Sequence, residues 1–267
     1  MIVASACGDK SYELSRTDNG LQYHFFKSDL GAKTGNNGDV YHLNLSIANK
    51  NDSIIVQQNL KFERNFSIYP GDFHEGLSLL RKGDSVLFVV SADSFFSHHG
   101  MPLPISIKAG EEVHLFIGCI DILNPIQHMI KMNEDELVQM ESFVKRKGWT
   151  VNTDSTGIKW ELIQVRASEG PKIEWNDSVE ISYLYYTLNE RIIQQSKPND
   201  YWKFHVGDPN RINGLSRVLS FMSEGQKVRA ILPFEQAFGE NGMGAIVPPF
   251  TTIVLEIEAH KVHKPKK

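Results

Sequence analysis

The stretch that decides the fold runs Met222-Ser-Glu-Gly-Gln-Lys-Val-Arg-Ala-Ile-Leu-Pro-Phe-Glu-Gln-Ala-Phe-Gly239, then Ile246-Val-Pro-Pro-Phe250 and Thr251-Thr-Ile-Val-Leu-Glu-Ile257. Val228 to Leu232 and Ile253 to Ile257 are apolar runs of strand length bounded by Gly and Pro. Upstream, Leu215, Val218, Leu219 and Met222 fall at i, i+3, i+4 and i+7, a single helical stripe that stops before Gly225. One short helix ahead of long strands implies a curved antiparallel sheet wrapped around that helix.

Working outward, the pattern recurs. Gly20-Leu-Gln-Tyr-His-Phe25 matches Gly157-Ile-Lys-Trp-Glu-Leu162, each alternating apolar with polar. Leu45 matches Tyr183 and Ile55 matches Ile193 at a spacing of 138 residues, which Phe66 and Phe204 keep. From Gly83 and Gly225 onward the spacing is 142, as for Phe96 and Phe238. The four extra residues of the second copy are therefore expected between Phe204 and Leu215, where the first has only Tyr69 to Asp72. Phe73, Leu77 and Leu80 give the first copy its own helical stripe. Between the copies, Asn133-Glu-Asp-Glu136 has the form of a capping box, and Leu137, Met140 and Val144 continue a stripe to Lys147 before Gly148. A connecting helix over 133–147 follows, its apolar face packed on a domain. The fold class is α+β.

The Met222 to Ile257 stretch resembles the signature of the FKBP family of peptidyl-prolyl isomerases, and the resemblance covers about the last hundred residues. It implies two FKBP-like domains joined by a linker helix: a tail over 1–18, a degenerate domain over 19–123, a linker over 124–154 and an FKBP-type domain over 155–263. The chemistry it implies needs no nucleophile, metal or cofactor. Rotation about a peptide bond faces ~18–20 kcal/mol, and the X-Pro end states differ by only ~0.5–1 kcal/mol. The twisted amide has lost resonance and charge separation, so a dry apolar slot favours it over the planar ground state.

The resemblance carries the slot onto named residues of the second copy. The Tyr of the family's Tyr-Thr-Gly segment falls at Tyr183, the Phe of its Phe-Asp pair at Ile193, and Trp202 takes the place of an aromatic two before Phe204. The family's Val-Ile pair ahead of the helix falls at Arg211 and Ile212, the latter with a backbone amide to donate to substrate. Leu215 replaces the tryptophan floor, Phe238 the Tyr of Ala-Tyr-Gly, and Ile246 and Leu255 complete the wall. Gln194 stands where the family has Asp, Phe238 lacks a hydroxyl, and Arg211 puts a charge at the rim. Losing two orienting groups, each worth ~0.5–1.5 kcal/mol as a neutral hydrogen bond and more if charged, lowers the expected activity by about one to three decades. In the first copy Leu45, Val56 and Phe96 replace the Tyr, Asp and Tyr, so it is expected to be a structural or binding repeat.

The implied function is isomerisation of X-Pro bonds in unfolded or extended polypeptides, as a folding helper for secreted proteins. The alternative is a non-catalytic binding or assembly module of the cell envelope. Spacing alone also allows the slot residues to be ordinary barrel core.

The rest of the sequence bounds this reading. With 267 residues, 41% apolar, 22% charged and a net charge of −4, the chain has a globular composition and no broad cationic field for nucleic acid. Lys261 to Lys267 is read as a solvated tail. Of the two cysteines, Cys119 lies in an apolar strand-like run, while Val3-Ala-Ser-Ala-Cys7 resembles a bacterial lipobox, implying lipid attachment at Cys7. Six residues are too few for a full secretory signal, so either the start belongs to a longer leader or the match is accidental. With lipidation the protein is expected on the periplasm-facing side of the bacterial envelope, held to the membrane through Cys7. His98-His99 is read as a loop pair rather than metal ligands, Ser91 to Ser94 as turn chemistry, and no Gly-x-Ser-x-Gly elbow or Gly-rich phosphate loop occurs.

Overall fold

The computed structural model describes residues 12–67, 69–165 and 170–265, so the lipobox-like Cys7 lies outside the described residues. The chain divides into two compact units, Met1–Ile130 and Lys131–Lys267. In the first, β1 (Ser15–Arg16), β2 (Gln22–Lys27), β3 (Val40–Asn49), β4 (Ile54–Glu63), β5 (Ser85–Ser91) and β6 (Glu112–Leu123) form one antiparallel sheet in the order β1-β2-β5-β6-β3-β4. Two short helices, α1 (Phe73–Leu79) and α2 (Ala92–His98), accompany it, and α3 (Pro125–Lys147) follows.

The second unit repeats this order. Its sheet runs β10 (Ile192–Gln195), β9 (Ser178–Thr187), β13 (Ile253–His263), β12 (Gln226–Leu232), β8 (Lys159–Val165), β7 (Asn152–Thr153), with β11 (Trp202–His205) also paired to β9. The amphipathic helix α4 (Asn213–Ser220) packs against one face of this sheet. Leu215, Val218, Leu219 and Met222 bury their stripe in the same core as Val228, Ala230, Leu232, Ile253, Leu255 and Ile257. Each Leu, Val or Ile so buried contributes ~1.5–3 kcal/mol relative to exposure. Among the described residues, no helix is long and apolar enough to cross a membrane.

Sheet register corrects the position of the four extra residues. Leu60 lies opposite Leu43 in the first unit, and Trp202 lies opposite Ile181 in the second. Leu43 and Ile181 keep the 138-residue spacing, whereas Leu60 and Trp202 are already 142 apart. Phe204 therefore corresponds to Phe62, not Phe66, and the insertion lies within Ser196 to Tyr201, ahead of β11. The physical cause is visible there. Pro198 has no N–H to give a ladder, and Asn199 takes a left-handed φ of 61°. The ten-residue β4 is continuous; its counterpart is broken into β10 and β11.

The connecting helix also differs from expectation, since it starts at Pro125 rather than Asn133. The working capping box is Asn124 and Gln127: the Gln127 N–H donates to Asn124 Oδ1 at 2.9 Å, and the Asn124 N–H donates to Gln127 Oε1 at 3.2 Å. Pro125 at the first helical position reinforces it. Met140 and Phe143 pack with Tyr186, Ile231 and Val254 on the outer face of the second sheet, so the helix does cover a domain surface. In the first unit, Ser91 to Ser94 is a helix start rather than a turn, with Ser91 Oγ accepting from the Ser94 N–H, and His98 ends that helix.

Candidate active-site slot

β9 decides which side chains meet. Its alternation sends Val179, Ile181, Tyr183 and Tyr185 toward α4 and sends Leu184 and Tyr186 toward the opposite face. Around the inner face, Tyr183, Ile193, Trp202, Ile212 and Phe238 are half-buried against a floor that includes Leu215, Leu255, Tyr185 and Phe204. The structure thus brings seven of the nine expected residues to one apolar cluster. The Trp202 ring stands 5.4 Å from Tyr183 and 5.1 Å from Phe204, edge-on to each.

Several local features hold this arrangement. The broken edge strand returns at Trp202, so an aromatic residue resumes the ladder beside Ile181. Ile212 occupies the cap position of α4 in an extended conformation, and no described residue accepts its N–H. Gly214 lets the helix approach the 3-10 turn Phe234–Gln236, since a Cβ there would sit 2.6 Å from the Gln236 carbonyl oxygen. That turn leads into Phe238. Buried Glu136 of α3 fixes it from the other side, with Oε1 accepting from the Phe234 N–H at 2.7 Å and from the Thr252 hydroxyl at 2.5 Å. Glu136 was expected to cap its own helix and instead braces the loops on either side of Phe238.

Charge enters only at the rim. The Arg211 guanidinium lies over the Trp202 ring at 5.1 Å, with Asp208 3.7 Å from its Nε. Burial raises the Tyr183 phenol above its ordinary value, opposed by Arg211 and reinforced by Asp200. Both phenols of the inner face stay neutral at physiological pH, so the slot contains no enclosed charge.

Two expected wall residues lie elsewhere. Gln194 is exposed, beside a register shift between Ile192 and Gln194 on the edge strand, and does not pack on the cluster. Ile246 is 53% exposed, while its neighbour Val247 is fully buried and fills the inward position. In this Ile-Val-Pro-Pro turn only one of the two aliphatic side chains can face in. Tyr185 was missed. Its signal was present: it shares a face with Tyr183, and it stands where the Tyr-Thr-Gly segment would place glycine.

The first unit differs at two of the corresponding positions. Leu45 and Phe96, the counterparts of Tyr183 and Phe238, are both buried, with α2 taking the place of the 3-10 turn. The 142-residue spacing puts Pro70 at the Ile212 position, and a proline has no N–H to offer.

Known proteins resemble part of this chain. The family model for FKBP-type peptidyl-prolyl cis-trans isomerase matches residues 170–260. The FKBP-type 22 kDa peptidyl-prolyl cis-trans isomerase of Escherichia coli K12 is 26% identical over 162 residues, covering 60% of this chain and 74% of that protein. The isomerase FkpA of the same organism is 29% identical over 124 residues, 44% of this chain and 42% of its own length. A peptidyl-prolyl cis-trans isomerase structure from Pseudomonas syringae superposes with a TM-score of 0.44 at 28% identity, covering 50% of this chain and 95% of that one. Residues 170–260 of this chain are an FKBP-type peptidyl-prolyl cis-trans isomerase domain.

Proposed function

We propose that the isomerase activity of this chain resides in the slot of the second unit and acts on X-Pro bonds of unfolded or extended polypeptides, as a folding helper. The observation that carries the reading is the contrast in burial. Tyr183 and Phe238 keep one side open over an apolar floor, whereas their first-unit counterparts Leu45 and Phe96 are sealed; Ile193 and Trp202 are half-buried, as are their counterparts Ile55 and Leu60. The open set offers a proline ring a water-poor contact surface. The unclaimed Ile212 N–H offers one donor for a flanking carbonyl.

The rate enhancement is modest on this reading. No side chain hydroxyl extends from Phe238, and Gln194 faces solvent rather than ordering Tyr183. The placement of Gln194 also favours a second reading, a binding module that grips proline-containing segments without turning them over. The first unit serves as a structural or binding repeat in either case. The site of action is the bacterial cell envelope, with Cys7 as the lipid attachment point and the periplasm as the compartment of the clients. An intact Met1 and unmodified Cys7 in the mass spectrum of the native protein would remove the anchor from this account.

Refolding of a model protein whose slow phase is limited by a non-native X-Pro bond tests the folding role. The uncatalysed phase takes tens to hundreds of seconds. Addition of the full chain shortens it, and addition of Trp202→Ala does not. A slow phase unchanged by the wild-type chain would leave only the binding reading.

A further inference from the structure

We propose that the Tyr185 hydroxyl is a substrate-binding group of the slot, donating a hydrogen bond to a carbonyl oxygen of the peptide that flanks the rotating X-Pro bond. This rests on the slot reading above and adds to it a residue that neither the sequence pattern nor the family match assigns.

Position comes first. Tyr185 shares the inner face of β9 with Tyr183, their ring centroids 5.1 Å apart, and lies in the ladder opposite Leu255 on one side and Gln194 on the other. It is central to the floor, not at its edge. The residue is only 6% exposed, packed in the same cluster as Leu215, Phe204 and Leu255.

The polar end of the ring is unspent. No described residue forms a hydrogen bond with the Tyr185 hydroxyl, yet its oxygen is not among the fully enclosed polar atoms. The ring is thus sealed while the oxygen reaches open space. The Tyr185 ring lies beside that of Tyr183, whose other neighbour is Trp202, and the Arg211 guanidinium over Trp202 acts on the phenol electrostatically. The hydroxyl therefore keeps an unused donor, which a bound carbonyl would take up. Burial also pushes this phenol far above its ordinary value, so it remains a protonated donor throughout the physiological range.

The slot has need of such a donor. Phe238 carries no hydroxyl and Gln194 faces solvent, leaving the Ile212 N–H as the other enclosed candidate. Tyr183 has a hydroxyl too, but it is half-exposed and has water within reach.

The test is cis/trans exchange of a short X-Pro peptide catalysed by the full chain, comparing wild type, Tyr185→Phe, Tyr185→Phe with Phe238→Tyr, and Trp202→Ala. Tyr185→Phe keeps the ring, so the melting temperature should hold. kcat/KM should fall roughly 3- to 10-fold, as for one neutral hydrogen bond. Phe238→Tyr in the same chain should restore part of the loss by supplying a hydroxyl from the facing wall. Tyr185→Phe at or above wild-type rate would overturn the proposal, marking the ring as a filler. A loss that tracks a lowered melting temperature and is not rescued by Phe238→Tyr would overturn it as well. Wild-type exchange no faster than the uncatalysed rate, with Trp202→Ala the same, would instead defeat the slot reading on which the proposal stands.

Discussion

Replacement of Glu136 probes how the slot is held open from outside. The carboxylate is 7% exposed, and its Oε1 takes both the Phe234 N–H and the Thr252 hydroxyl. Glu136→Ala removes the acceptor and leaves two buried donors unpaired, at ~1–3 kcal/mol each, so a total loss of about 2–6 kcal/mol is expected. Glu136→Gln keeps an oxygen in place and removes the buried charge, so its stability should stay within about 1 kcal/mol of wild type. The two variants also differ with pH. Burial raises the Glu136 carboxyl above its ordinary value, against the lowering effect of Thr252 and Phe234 and with added repulsion from Glu235. A raised folded-state value means that the native chain holds a proton the unfolded chain has released. Its contribution is fully present below the unfolded value and is lost as pH rises through the folded one. Chemical denaturation of wild type and Glu136→Gln across the acid-to-neutral range should therefore show wild type losing ground relative to the amide as pH rises. Isomerase activity of Glu136→Ala should fall with stability, because the bond it loses orients the turn leading into Phe238. Equal destabilisation by Gln and Ala, or a wild-type advantage that grows with pH, would refute the reasoning.

Other outcomes follow from the same structure. Deleting Lys197 to Asp200 should let β10 and β11 merge into one strand like β4, keeping the fold by circular dichroism while abolishing catalysis; retained activity would show that the break is incidental. Gly214→Ala brings a Cβ to 2.6 Å from the Gln236 carbonyl oxygen and 2.9 Å from Leu232, and should cost about 1–3 kcal/mol in a denaturant titration. Burial pushes the Cys119 thiol to about 12, so the Cys119 peptide should resist alkylation at pH 8 in the folded protein and label only on unfolding.

Much of this architecture is readable in the sequence because single residues leave few alternatives. The stripe Leu215 to Met222 stopped by Gly225 can only be a short buried helix, and the alternation through Tyr183 and Tyr185 fixes which face looks at it. Where reading along the chain fails, the missing information is register. Phe66 and Phe62 lie four residues apart and both resemble Phe204, and only the partner across the sheet distinguishes them. Asn133 and Asn124 both begin plausible caps; Asn124 is the one that pairs with Gln127, while Glu136 is taken up by Phe234 and Thr252, a contact 98 residues away in the case of Phe234. Ile246 and Val247 are equally apolar, and the turn geometry alone decides which one enters the core.

The central claim, that the open cluster around Trp202 turns over X-Pro bonds, is tested most directly by exchange spectroscopy on a proline peptide at equilibrium. With catalytic amounts of the full chain, cis/trans exchange should become fast enough to give exchange peaks, with the Ile212 amide resonance shifting on peptide addition, and Trp202→Ala should remove both. Exchange that stays at the uncatalysed tens to hundreds of seconds, or that persists undiminished in Trp202→Ala, would contradict the account.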